Sequence, residues 1–81
     1  MSKFKYRRVL RLQIVAYMKK CRKIILENQK SEFGYEHLTK LEKMVKQLKD
    51  VNAEYPIKIE KDLVEEASKI ISDLELIFNQ K

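Results

Sequence analysis

The sequence predicts an all-α fold, a small antiparallel three-helix bundle, with helices over about residues 4–30, 35–52 and 57–79. Three observations carry this. Apolar residues recur at steps of three and four in three successive segments, which is the period of a helix with one buried face. The chain has one Gly and one Pro, and both fall between those segments, at Gly34 and Pro56. Strand-like alternation is confined to Ile57-Lys58-Ile59, too short to count. At 81 residues the chain is one domain, and its 44% hydrophobic content allows a modest core. A core of that size leaves only a few kcal/mol of net stability, so self-association or a partner is expected to help.

In the first segment Tyr6, Leu10, Ile14, Tyr17, Cys21 and Ile24 form the stripe. Gly34 can adopt the left-handed conformation that ends a helix, and Asn28 is an earlier candidate. Ser31 is a candidate N-cap for the second helix, whose stripe is Leu38, Leu41, Val45 and Leu48. Asn52 can end that helix. Pro56 suits the first turn of the third, with Asp62 and Glu65 offering a rival capping-box start. The third stripe is Leu63, Ala67, Ile70, Leu74 and Ile77. Links this short make consecutive helices antiparallel neighbours.

Charge is unevenly placed. Residues 1–30 sum to +9 and residues 31–81 to −3, within a net charge of +6. The first helix is therefore basic and amphipathic, a pattern shared by nucleic-acid-binding, membrane-surface and partner-recognition helices. Arg7, Arg8, Arg11, Lys19, Arg22 and Lys23 are the candidate contacts to nucleic acid or another acidic partner, and Phe4 and Tyr6 the candidate stacking residues. Part of this charge is expected to be met by the chain's own acidic half. An apolar line of Phe4, Val15 and Leu26, flanked by Leu12 and Ala16, runs through the basic arc. It makes Leu12, Val15 and Leu26 a candidate protein interface, for a partner or a second copy. The acidic side of the third helix (Asp62, Glu65, Glu66, Asp73) is a solvated face or a contact for basic segments.

Catalysis is not expected. There is one histidine, His37, and one cysteine, Cys21, the latter at a stripe position expected to be buried packing. A single Cys and a single His do not make the usual structural zinc site, and one glycine makes no phosphate loop. No cofactor, metal or small-molecule substrate is expected. One cysteine argues for a reducing compartment, and no signal peptide or membrane span is visible. Cytoplasm, or a host cytosol for a viral protein, is the expected location. In size, basicity and helical content the chain is broadly similar to bacteriocin immunity proteins and to small accessory proteins of phages, plasmids and archaeal viruses. The expected function is a non-catalytic binding protein that presents its first helix to an acidic partner. Nucleic acid is the first choice and a protein-interaction module (inhibitor, immunity-like protein or assembly adaptor) the alternative. A membrane surface ranks third.

Overall fold

The computed structural model, described over residues 3–28 and 32–79, contains three helices and, among the described residues, no strand. Helix α1 spans Lys3–Glu27, α2 Glu32–Glu54 and α3 Lys58–Phe78, and each packs against the other two. Arg7 near the start of α1 meets Asn52 near the end of α2 and Glu60 at the start of α3. At the opposite end Tyr35 of α2 sets its ring edge-on to Phe78 of α3, centroids 5.9 Å apart. Consecutive helices thus run antiparallel, and α1 and α3 run parallel. This is the predicted three-helix bundle.

The core is continuous along the bundle. Leu10, Ile14, Met18 and Cys21 of α1 face Leu38, Leu41, Val45 and Leu48 of α2, and Val64, Ala67, Ile70, Leu74 and Ile77 of α3 close it. Tyr17, Ile24, Ile25 and Leu63 pack around its margin. The second stripe is buried as predicted. The first departs from prediction at its start, where Tyr6 is exposed and Arg7 is buried instead. In the third, Leu63 is only partly buried and Val64 takes the inward position.

The breaks differ from the predicted ones in instructive ways. Asn28, not Gly34, ends α1: it has φ of 49°, and its N–H reaches the Ile25 carbonyl at 3.2 Å. Asparagine tolerates this left-handed backbone better than other residues with a side chain. Gly34 is buried inside α2 with no positive φ. Ser31 lies outside the described residues. Asn52 does not end α2, which runs on to Glu54. Its side-chain Oδ1 accepts the Ile57 N–H at 2.7 Å, tying the end of α2 to the start of α3. Pro56 lies just before α3. Ile57 is the extended N-cap (φ −129°, ψ 126°), and its carbonyl accepts the Lys61 N–H at 3.0 Å. The Asp62 start is thereby excluded. No helix among the described residues is long and apolar enough to cross a membrane.

Candidate functional site

The cations of α1 meet three different fates. Arg7 is 2% exposed and Glu60 0%. Arg7 Nε donates to Glu60 Oε1 at 2.9 Å and Oε2 at 3.1 Å, and Nη2 also donates to Oε1. The same Nη2 donates to the Tyr55 carbonyl at 2.7 Å and to Asn52 Oδ1 at 3.3 Å. The guanidinium carbon stands 5.7 Å from the Tyr55 ring centroid. Arg7 of α1 thus bonds to α2, to α3 and to the link between them, and Arg11 Nη1 completes the cluster 3.6 Å from Glu60 Oε2. Arg7 is therefore not a surface phosphate contact. A buried carboxylate is tolerated only when paired and hydrogen-bonded, and Arg7 supplies both.

Sequence reasoning missed this cluster, although a signal was present. Arg7 lies three residues before Leu10 and seven before Ile14. Glu60 lies four before Val64 and seven before Ala67. Both occupy the inward register of their helices. Reading the basic arc by charge alone hid the periodicity.

Arg22 bridges to Glu66 of α3 through exposed side chains. Part of the basic charge is thus met within the chain, at Arg7, Arg11 and Arg22. Arg8, Lys19 and Lys23 are exposed and, among the described residues, in no ion pair. They share the outward side of α1 with Leu12 (63% exposed), Val15 (42%) and Leu26 (86%). Val15 enters a shallow groove between α1 and α3, whose other walls are Arg11, Ile59, Asp62, Leu63 and Glu66. Ile59 is 69% exposed. Tyr6 is exposed, and the Phe4 side chain lies outside the described residues.

The α1–α2 face carries a separate group. His37 meets Tyr17 edge-on, with ring centroids 5.5 Å apart. Lys20 Nζ lies 4.7 Å and Lys40 Nζ 5.9 Å from the Tyr17 centroid. Burial pushes His37 below its ordinary range, and both lysines add to this against a smaller opposing effect of Glu36. Its Nδ1 is buried with no hydrogen-bond partner. Between α2 and α3, burial and the neighbouring Glu75, both by hydrogen bond and by charge, push the Glu42 carboxyl upward. Cys21 is fully buried, and burial pushes its thiol up to about 11.

No family model matches the chain, and neither a curated protein nor a solved structure matches it.

Proposed function

We propose that the protein is a non-catalytic interaction module that docks an acidic, partly apolar protein surface on the outer side of α1 and the adjoining α1–α3 groove. One observation carries the reading: Leu12, Val15 and Ile59 stand exposed among Arg8, Arg11, Lys19 and Lys23. Apolar side chains interleaved with arginine are the composition of an interface core and its rim. Cations without internal partners add long-range attraction to an acidic partner. A second copy of the chain suits this surface less well. An isologous contact through α1 would bring the Arg8, Lys19 and Lys23 cations of the two copies into one interface.

Nucleic acid is the second reading, supported by the same three unpaired cations. It loses Arg7 to the interior and shares Arg11 and Arg22 with α3.

The test is capture from the native host lysate, with and without nuclease, using wild type, Val15→Glu, Ile59→Glu and an Arg8→Glu/Lys19→Glu pair. The protein reading expects a nuclease-resistant partner that both apolar variants release while their melting temperatures stay near wild type. Release by nuclease, with the apolar variants still binding, would establish the nucleic-acid reading instead.

A further inference from the structure

We propose that the α1–α2 face holds a second, separate site, in which Lys20, Lys40 and His37, gathered around the Tyr17 ring, take one phosphoryl group. Two ammonium groups share a single aromatic ring, Lys20 at 4.7 Å and Lys40 at 5.9 Å from its centroid. Both charges also act on His37, whose ring meets Tyr17 edge-on. Neither is in an ion pair among the described residues.

His37 supplies the third donor. Its Nδ1 is buried and unpartnered. An orphaned buried N–H is costlier than an under-satisfied acceptor, so the ring carries its proton on Nε2. Nε2–H is then the atom free to donate outward. Tyr17 braces the cluster: it packs at the margin of the core, and both ammoniums lie within cation–π range of its ring.

The ligand chemistry follows from the count. Two positive charges and one further N–H match a phosphoryl group, which carries about −1.5 to −2 charge near neutral pH and several strong acceptor oxygens. A single carboxylate brings two oxygens to these three donors, where a phosphoryl group brings three. A nucleic-acid strand offers one charge per phosphodiester and needs a continuing cationic track. Of the unpaired cations Arg8, Lys19 and Lys23, the first two are turned from Lys20 by roughly 100–120° at 3.6 residues per turn, and Lys23 alone lies within roughly 60° of it. The site is independent of the docking surface proposed above, which lies on the α1–α3 side.

NMR titration of the full chain with inorganic phosphate at pH 7, at ionic strength held constant with chloride, tests it. The expected result is saturable movement of the His37 imidazole and the Lys20 and Lys40 ammonium signals, with millimolar affinity. The Lys20→Gln/Lys40→Gln variant should bind at least tenfold more weakly at an unchanged melting temperature. A phosphoserine peptide that binds more tightly than free phosphate identifies a modified protein as the source of the group. The reverse order identifies free phosphate. Shifts no larger than those produced by chloride, shifts that persist in the double variant, or binding of single-stranded DNA without binding of phosphate, would each overturn the proposal.

Discussion

Arg7 and Glu60, 53 residues apart in the chain, form a buried two-oxygen ion pair at the end of the bundle where all three helices converge. Removing one partner of such a pair strands the other and typically costs about 3–5 kcal/mol. Replacing both with apolar side chains is often neutral or stabilising. A domain of this length holds roughly 4–12 kcal/mol in total. Arg7→Met should therefore remove a large share of the stability, softened by Arg11, whose guanidinium already lies 3.6 Å from Glu60. Arg7→Met/Glu60→Leu should recover most of the loss. Urea unfolding of the two single variants and the double variant gives the coupling directly. Additive losses would show that the pair does not act as a unit.

Asn52 predicts a more selective effect. Its Oδ1 accepts from both the Ile57 N–H and Arg7 Nη2. Asn52→Ala takes the acceptor from the Ile57 N–H, while Arg7 Nη2 keeps Glu60 and the Tyr55 carbonyl, and should cost about 1–3 kcal/mol. Asn52→Asp keeps the acceptor and adds a charge beside the guanidinium, so its melting temperature should stay at or above wild type. Thermal unfolding at pH 7 separates the two. An Asp variant as unstable as the Ala variant would contradict the bonding described.

The same cluster shows what was legible beforehand and what was not. Helix number, order and inward faces follow from period alone, because Leu38, Leu41, Val45 and Leu48 leave few alternatives for a buried side. The end of α1 was less legible, since Gly34 and Asn28 both satisfy the local rule. In the fold α2 reaches back through a buried Gly34 to Glu32, which leaves Asn28 as the stop. Arg7 was misread, and Glu60 was not singled out, because a charged residue at a core register is assigned outward unless its partner is known, and the partner here lies on another helix. The exposed positions of Leu12, Val15 and Leu26 were anticipated by their placement opposite the stripe.

Two titrating groups act on stability in opposite directions. Glu42 is pushed up from an ordinary value of 4.5 by burial and by Glu75, so the folded state holds this proton more tightly than the unfolded chain. Stability from this group is present below about 4.5 and is lost as pH rises through the raised value. Glu42→Gln should therefore raise the melting temperature at pH 7 and leave it nearly unchanged at pH 4. His37 is held below 6.5 by burial, Lys20 and Lys40. Its contribution is present above 6.5 and is lost as pH falls toward the lowered value. His37→Gln should flatten the decline in stability between pH 7 and pH 5. Melting temperatures of the two variants across this range test both signs.

Cys21 reports on the whole bundle. Its side chain is fully buried, and burial pushes the thiol up to about 11, so the folded protein presents almost no reactive thiolate at pH 8. Alkylation must then pass through opening of the core, and its rate under fast reclosing follows the population of open states. Wild type should label orders of magnitude more slowly than the chain in urea. Because about 1.4 kcal/mol is tenfold in an equilibrium, an Arg7→Met variant weakened by about 3 kcal/mol should label roughly 100-fold faster than wild type. The Arg7→Met/Glu60→Leu variant should return close to the wild-type rate. Mass spectrometry of iodoacetamide-quenched samples measures all three. If Arg7→Met destabilises in urea yet leaves the labelling rate unchanged, the Arg7 end of the bundle opens separately from the core that holds Cys21. The ion pair would then secure one end of the fold rather than the whole.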